Sequence, residues 1–277
     1  MRKASVTLIL LYLMGSACEK EQTGQSTEEN LPVVEGIIEE NGYPMVMLSA
    51  DPAYFAGTPA AGNAGEWVHG AVISVSNGPQ SQILREYRLT DAAGRPFWVY
   101  TVDTAQLQHA FRGENGKSYT LTIRSEGKTL SAMTTIPAHR LRLDSAWWGP
   151  AGLKARLTGN ATGYARYFTA RNGGDYLPGM HPLSSETLGK GTIEVQLGEG
   201  MNRSGAPQGA LAKGDTVWLK FCNVDHNTYD FWRSAGAAWA KGADPLGPAT
   251  RAKGNVSNAK GYWGGYSVTY ERIIIPK

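Results

Sequence analysis

The sequence predicts a mainly β protein: an N-terminal immunoglobulin-like β-sandwich followed by a second β-rich domain with one short helix. Two observations support this class. Short apolar runs rich in β-branched and aromatic residues recur along the chain, and turn signals containing Asn, Gly and Pro separate them. Only the stretch near 226–240 has both helical apolar spacing and a preceding cap residue. We therefore expect domains over 31–137 and 138–277.

The first domain is expected to open with a β-hairpin. Residues 33–38, Val-Val-Glu-Gly-Ile-Ile, are a β-rich run, and Asn41-Gly42 after them is a turn signal. Residues 43–48 are the expected partner strand. Residues 51–65 are rich in Pro, Gly and Ala and are expected to form a long loop. Further strands are expected at 68–76, 87–90, 97–102, 117–124 and 128–136.

The strand expected at 117–124 has the clearest pattern. Tyr119, Leu121 and Ile123 point to one face, and hydroxyl-bearing residues between them point to the other. This alternation is typical of an antiparallel strand that is buried on one side only. Short strands of this kind over about 100 residues favour an immunoglobulin-like sandwich.

The second domain is expected to contain four strands, the helix and a closing strand. Asp225 can cap the helix by accepting a hydrogen bond from the backbone N–H near Thr228. A Gly- and Pro-rich stretch, 241–265, then leads to a last strand at 266–275. The other strands are expected at 153–158, 164–171, 191–197 and 216–223.

The first residues carry an export signal. Arg2 and Lys3 precede the apolar run 4–14, which is too short to span a bilayer stably. Small residues follow at 15–17, directly before Cys18. This order of charge, apolar run and small residues directs a chain out of the cytoplasm.

A cysteine directly after small residues resembles the lipobox of bacterial lipoproteins, in which the cysteine receives lipid and becomes the first residue of the mature chain. The resemblance implies that residues 1–17 are a lipoprotein signal peptide and that Cys18 is the lipidation site. The common pattern has leucine where this chain has Gly15. Gly15 and Ala17 also satisfy the small-x-small rule of an ordinary signal peptidase, so simple secretion is the alternative.

Residues 18–30 are polar and acidic and are expected to be a flexible tether. Glu19, Lys20 and Glu21 resemble the surface-export signal that follows the cysteine in Bacteroidota lipoproteins. The resemblance implies an outer-membrane location, with the lipid anchor in the membrane and the protein facing the cell exterior.

Charge and cysteine content exclude some classes of function. The chain has 27 basic and 24 acidic residues, and removal of Arg2 and Lys3 leaves 25 basic residues, so no nucleic-acid partner is expected. If Cys18 carries lipid, Cys222 has no disulfide partner. Its strand context predicts that Cys222 packs as a small apolar side chain.

Catalytic and metal-binding motifs are not found in the sequence. None of the five histidines lies three or four residues from another, and the HExxH, Cys-x-x-Cys and Gly-x-Ser-x-Gly patterns do not occur. We expect no catalytic residue, no metal and no cofactor. Carboxylate pairs can come from distant segments, so an extracytoplasmic hydrolase is kept as a third hypothesis.

Aromatic residues are in surplus, with eight Trp and thirteen Tyr. The candidate contacts for a ligand or partner are Trp147, Trp148, Tyr262 and Trp263. Tyr262 and Trp263 lie among glycines, so their rings either plug the sheet or present a flat face to a partner, and we favour burial for Trp263. Trp218 is expected to lie in the core.

Three segments together resemble a known family. They are the cysteine with its acidic residues, LPVVEGIIEENGYPMVMLSADPAYF at 31–55 and GNVSNAKGYWGGYS at 254–267; GKSYTLTIRSEGKTLSAMTTIP at 116–137 also fits. They resemble the DUF4249 family of Bacteroidota outer-membrane lipoproteins, whose defining domain has no assigned function. Members often accompany TonB-dependent outer-membrane transporters, which implies nutrient capture or assistance to transport. The family supplies no catalytic residue.

The leading hypothesis is therefore a non-enzymatic, surface-exposed outer-membrane lipoprotein that is a binding or accessory partner of a TonB-dependent nutrient transporter. The alternative is a carbohydrate-binding lipoprotein that acts alone through exposed tryptophans. A transporter partner should show a broad apolar and aromatic patch without a pocket. Carbohydrate binding should show clustered, solvent-facing Trp rings with polar groups nearby.

Overall fold

The computed structural model describes residues 31–50, 67–90, 94, 96–138, 142–150, 152–159, 163–179, 182–184, 191–197, 211–241, 246 and 252–276. Several predictions fall outside these residues: the signal peptide, Cys18, the export signal at Glu19, Lys20 and Glu21, the tether and the loop at 51–65.

The predicted class, mainly β with one short helix, is confirmed. The helix of the described residues is α1 (His226–Trp239), and a single 3-10 turn covers Leu107–His109. Of the described residues, no helix combines the length and the apolar character needed to cross a membrane. The strands are β1 (Val33–Glu39), β2 (Met45–Ser49), β3 (Val72–Ser76), β4 (Ser81–Thr90), β5 (Pro96–Thr101), β6 (Ser118–Ser125), β7 (Lys128–Thr135), β8 (Arg142–Gly149), β9 (Gly152–Gly159), β10 (Tyr164–Arg171), β11 (Leu177–Pro178), β12 (Gly191–Gln196), β13 (Thr216–Val224) and β14 (Lys260–Ile274).

The first part of the chain forms a β-sandwich because β4 takes part in two layers. Its first residues pair with β3, and its later residues pair with β5. The layer β3-β6-β7 therefore packs against the layer β1-β2-β5. Side chains from both layers form one core, to which β6 contributes Tyr119, Leu121 and Ile123, all fully buried as the alternation predicts.

The second part has two layers of strands and the helix. The three-stranded sheet β12-β9-β8 packs through Leu153 and Leu157 against Leu219 and Phe221 of β13. Helix α1 covers the opposite face of β13 and β14, where its Trp232 packs among buried aromatic residues. Strands β13 and β14 are thus covered on both faces over part of their length.

One eleven-stranded sheet, in the order β11-β10-β13-β14-β1-β2-β5-β4-β3-β6-β7, runs through both predicted domains. The connection is the parallel pair β1–β14, which places Val33 opposite Lys260 and Glu39 opposite Tyr266. Trp263 of β14 belongs to the core of the first part. Residues from both sides of the boundary expected at residue 137 therefore share this sheet and its cores, since Val33 of β1 packs in the cluster around α1.

The closing strand was expected to begin at Tyr266, and this is wrong because β14 begins at Lys260. The glycines that indicated a loop are needed for close packing. Gly261 has φ of +95°, and a Cβ there would collide with the carbonyl of Val34. A Cβ on Gly265 would lie 2.8 Å from the backbone nitrogen of Ile136. Glycine therefore allows β14 to enter the sheet at this position.

Candidate functional site

An open aromatic surface lies on the sheet beside helix α1. Residues directly opposite each other in antiparallel strands point to the same face, and here Trp218 pairs with Arg272 and Lys220 pairs with Tyr270. The helix covers one end of this face and leaves the other end in solvent. We call Tyr176, Trp218, Lys220, Tyr270 and Arg272 the aromatic shelf.

The rings of the shelf are accessible to solvent. Tyr176, Trp218 and Tyr270 are 39%, 40% and 53% exposed. The rings of Tyr176 and Tyr270 meet edge to face with their centres 6.2 Å apart. The guanidinium of Arg272 lies 5.2 Å from the centre of the Trp218 ring, within the range of a cation–π contact. The shelf is thus a broad surface of aromatic rings and positive charge.

Lys220 lies at the centre of the shelf. Its ammonium is 5.3 Å from the ring centre of Phe168, 5.9 Å from that of Tyr270 and 6.0 Å from that of Tyr176. It forms an ion pair with Glu39, and the Tyr270 hydroxyl donates a hydrogen bond to Glu39 Oε2 at 3.4 Å. This arrangement fixes the positions of the surrounding rings.

The electrostatics keep Lys220 charged. Burial works against the charged ammonium, but the charge and hydrogen bond of the Glu39 carboxylate outweigh it, so the pKa of Lys220 is raised. Burial also raises the pKa of Cys222 to about 12, so its thiol is protonated at neutral pH and Glu39 is the counter-ion. The protonated, fully buried Cys222 packs as predicted and is a poor nucleophile.

The shelf ends where α1 covers the sheet. There the guanidinium of Arg166 lies 3.5 Å from the centre of the Trp232 ring and 4.5 Å from that of Phe168. Trp232 Nε1 donates a hydrogen bond to the Tyr266 hydroxyl at 3.2 Å. Burial lowers the pKa of Arg166. These contacts close the covered end, so on this face the shelf is the part that is open to solvent.

Tyr262 and Trp263, two of the four predicted contact residues, lie in the core. Tyr262 is 2% exposed and stacks on Phe231 with ring centres 4.5 Å apart. Trp263 has no exposed surface, and its Nε1 donates to the carbonyl of Tyr119 at 3.0 Å. Because such rings cannot touch a partner, the contact hypothesis for this pair is wrong, and the favoured burial of Trp263 is confirmed.

Trp147 and Trp148, the other two predicted contacts, lie on β8 of the three-stranded sheet. Both are half-buried. Trp148 packs against the core of the second part. The ring of Trp147 lies 5.6 Å from the guanidinium of Arg156, which forms an ion pair with Glu194 at 2.7 Å. The four predicted residues therefore do not form one site.

The expectation that Trp218 lies in the core is wrong. Val217 and Leu219, on either side of it, are fully buried, so Trp218 points to the other face of β13. Lys220 shares that face, and a lysine in an alternating strand indicates at least partial exposure. The lysine at position 220 was therefore the sequence signal that Trp218 lies on an exposed face. No comparable signal marked Tyr176 or Tyr270, whose surroundings depend on neighbouring strands.

A second polar cluster surrounds Glu86 in the first part. Glu86 contacts His69, and it accepts hydrogen bonds from the backbone N–H of Gly70 and from the Tyr100 hydroxyl, both at 3.1 Å. The ring of His69 meets Trp98 edge to face at 5.1 Å. Among the described residues, no group of three or more His, Cys, Asp or Glu is placed to hold a metal ion.

Comparison with known families gives one match over most of the chain. The family model "Domain of unknown function (DUF4249)" matches residues 19–272. A search of curated proteins gives no match.

Proposed function

The chain belongs to the DUF4249 family, and from this premise we propose that it is a non-enzymatic, surface-exposed outer-membrane lipoprotein that binds or assists a TonB-dependent nutrient transporter. The aromatic shelf is the observation that carries the proposal. It offers exposed Tyr, Trp and Arg side chains, the residue types that contribute most to binding energy at protein interfaces.

The form of the shelf supports a protein partner. Four of its five residues come from neighbouring positions on the paired strands β13 and β14, so they present a flat surface. A flat surface suits an extended contact better than the enclosure of a small ligand. The Lys220–Glu39 ion pair holds the rings in place before binding, which lowers the entropy cost of association.

The membrane location rests on the sequence. Cys18 supplies the proposed lipidation site, Glu19, Lys20 and Glu21 supply the proposed surface-export signal, and Arg2 and Lys3 open the proposed signal peptide. A lipid anchor of this kind holds a protein at the membrane because each buried methylene contributes about 0.8 kcal/mol.

A stand-alone carbohydrate-binding lipoprotein is the second candidate. The observation that favours it is the exposed Trp218 ring beside the guanidinium of Arg272. Sugar rings stack on such faces, and neighbouring polar groups bind their hydroxyls. A soluble oligosaccharide that quenches the fluorescence of the parent, but not of Trp218→Ala, would favour this candidate.

The test is a pull-down from native outer membrane in mild detergent, with mass spectrometry of the retained proteins. The parent is compared with the double variant Trp218→Ala/Tyr270→Ala. The matched control is Ile83→Ala/Met133→Ala, which removes side chains that are 68% and 62% exposed on the first part of the chain. We expect the parent and the control to retain a TonB-dependent transporter and the shelf variant to lose it. Retention by all three would exclude the shelf as the contact.

A further inference from the structure

Strand β14 extends beyond the strand that pairs with it on one side. Strand β13 pairs with β14 as far as Ile274, whereas β1 pairs with it only as far as Tyr266. The last bond on the β1 side is from the backbone N–H of Glu40 to the carbonyl of Tyr266, at 2.8 Å. Within the described part of the chain, residues 268–274 are therefore an edge of the sheet, which we call the free edge.

The open hydrogen-bonding groups of the free edge can be assigned to individual residues. In an antiparallel pair, successive residues direct their backbone groups alternately toward the partner strand and away from it. Tyr266 faces β1, Ile275 bonds to Asp215 at the start of β13, and the register between β13 and β14 is unbroken. The residues whose backbone groups point away from β13, and to which no described residue bonds, are therefore Val268, Tyr270, Arg272 and Ile274.

Strand β7, at one end of the same sheet, shows how a covered edge differs. Loop 255–258 and Asp225 bond to every second residue along its outer side, namely Thr129, Ser131, Met133 and Thr135. Open edges pair readily with other chains, and proteins commonly cover them in this way. Among the described residues the free edge of β14 has no such cover, so it is open to a partner strand.

We propose that an extended segment of the transporter partner adds to the free edge as a further strand. The identity of the partner rests on the proposed function, whereas the edge itself does not. Seven residues of strand are about 23 Å long. Backbone hydrogen bonds would supply affinity along this length, and alternate side chains of the added strand would lie beside the aromatic shelf. Tyr270 and Arg272 belong to both the shelf and the free edge, so the two surfaces form one contact.

The side chains of the free edge indicate the chemistry of the added segment. Arg272 is exposed, lies against the Trp218 ring and forms no ion pair with a described residue. Tyr270 and Ile274, two positions away on either side, are exposed as well. The segment should therefore place an acidic residue opposite Arg272 and apolar residues two positions before and after it. A second copy of this chain fits less well, because a two-fold pair centred on Glu271 or Arg272 would place like charges opposite each other.

The first test measures hydrogen exchange of single backbone amides by NMR, on the full chain in non-ionic detergent. In the free protein the four outward amides of the free edge should exchange rapidly, and the three amides between them, which face β13, slowly. Saturation with the synthetic peptide Thr-Val-Thr-Asp-Thr-Val-Thr should slow the outward amides about tenfold or more. Slow exchange of both sets in the free protein would mean that the edge is already covered, and would overturn the proposal.

Two further peptides are matched controls. One has Lys in place of Asp and should bind the parent about fivefold more weakly or less, a difference that should disappear in Arg272→Ala. The other has the original sequence with N-methyl groups on every amide, so it cannot donate backbone hydrogen bonds and should not bind. Binding of the N-methylated peptide as tight as that of the original, or no binding of the original, would overturn the proposal.

The second test uses proline in the outer-membrane pull-down. Proline at position 272 removes an N–H that points away from β13, so the bonds between β13 and β14 are kept. Arg272→Pro should lose the transporter, whereas Arg272→Ala, which lacks only the side chain, should retain part of it. If Arg272→Pro melts well below Arg272→Ala, the peptide measurements alone decide.

The outcomes separate the free edge from the proposed function. Equal retention of the transporter by folded Arg272→Pro and Arg272→Ala would overturn the added strand and leave the transporter proposal intact. A parent that binds the acidic peptide but retains no transporter would contradict the proposed function instead. A dimer of the parent in light scattering, absent in Arg272→Pro, would show that a second copy occupies the edge, and would overturn the choice of partner.

Discussion

The side-chain amide of Asn255 bonds to the backbone of Trp263 as a neighbouring strand would. Asn255 Nδ2 donates to the carbonyl of Trp263 at 2.8 Å, and Asn255 Oδ1 accepts from its N–H at 2.9 Å. The same loop is bound to β7, where the backbone N–H of Ser257 donates to the carbonyl of Ser131 at 2.8 Å. The Asn255 side chain thereby supplies hydrogen-bond partners for the backbone N–H and carbonyl of Trp263.

Asn255→Ala should lower the free energy of unfolding by about 1–3 kcal/mol, because it leaves the N–H and carbonyl of Trp263 without their partners. Chemical denaturation measures the change. Gln108→Ala, at an exposed position of the 3-10 turn, is the control and should stay within about 0.5 kcal/mol of the parent. If Asn255→Ala is as stable as Gln108→Ala, water has replaced the hydrogen bonds that the Asn255 amide makes to Trp263.

Trp263→Ala should be the most damaging of the single substitutions considered. It removes a fully buried ring and its hydrogen bond to Tyr119, and the resulting cavity should cost about 3–5 kcal/mol. Thermal and chemical unfolding check this value. Trp218→Ala removes the same side chain from the exposed shelf and should cost far less. A Trp263→Ala protein that melts like the parent would contradict the burial.

Asp225 joins helix α1 to the first part of the chain. Its Oδ1 caps the helix by accepting from Thr228 N at 2.8 Å, and its Oδ2 accepts from Thr134 Oγ1 at 2.6 Å and from Thr135 N at 3.2 Å. Asp225→Ala removes all three acceptors and should cost about 2 kcal/mol or more.

Asp225→Asn separates the two roles of this residue. Asn caps helices as well as Asp, but its amide nitrogen cannot accept from Thr135. In chemical denaturation we expect Asp225→Asn to lower the free energy of unfolding by about 1 kcal/mol. Its stability should therefore lie between that of the parent and that of Asp225→Ala. A loss as large as that of the Ala variant would show that the contact with β7, and not the cap, supplies the stability.

The Glu86 cluster should make stability depend on pH. Burial raises the pKa of Glu86, but hydrogen bonds from His69, Gly70 and Tyr100 outweigh burial, so its pKa lies below the ordinary value of 4.5. The folded state thus binds this proton less tightly than the unfolded state. The contribution is present above pH 4.5 and is lost as the pH falls through the lower folded-state pKa.

Glu86→Gln should therefore reduce the loss of unfolding free energy on acidification, measured by chemical denaturation at a series of pH values. The variant should be less stable than the parent at neutral pH, and the difference should shrink in acid. Glu126→Gln, at an exposed hairpin position, is the control and should follow the parent. Parallel curves for the parent and Glu86→Gln would rule out this linkage.

The proposed anchor predicts the behaviour of Cys18→Ser. Serine cannot form the thioether to lipid, so the variant should move from the membrane pellet to the soluble fraction. Fractionation at high salt and immunoblotting measure this, with Cys222→Ser as the control that retains the anchor. Sedimentation of Cys18→Ser with outer membrane at high salt would show that the protein is held there by other means.

Local patterns in the sequence were enough to predict much of the fold. The alternation of Tyr119, Leu121 and Ile123 predicted a strand buried on one face, and β6 has this arrangement. Asp225 predicted the start of the helix, which runs over His226–Trp239. These predictions hold because strand periodicity and helix capping depend on residues only a few positions apart.

The candidate site could not be predicted in the same way. Tyr262 and Trp218 are both aromatic residues in strand sequences, yet one is buried and the other is exposed. The difference is that α1 and Ala252 pack over Tyr262, whereas Trp218 lies beyond the part of the sheet that they cover. Exposure of a side chain depends on what packs above it, which local sequence does not specify.

The sequence by itself determined the β class and the capped helix at His226–Trp239, because each depends on neighbouring residues. Only the tertiary structure decided that β1 pairs in parallel with β14, that both parts share one sheet, and that Trp263 fills the first core. These features join distant segments of the chain. Their free energy comes from burial and backbone pairing that exist only after those segments meet.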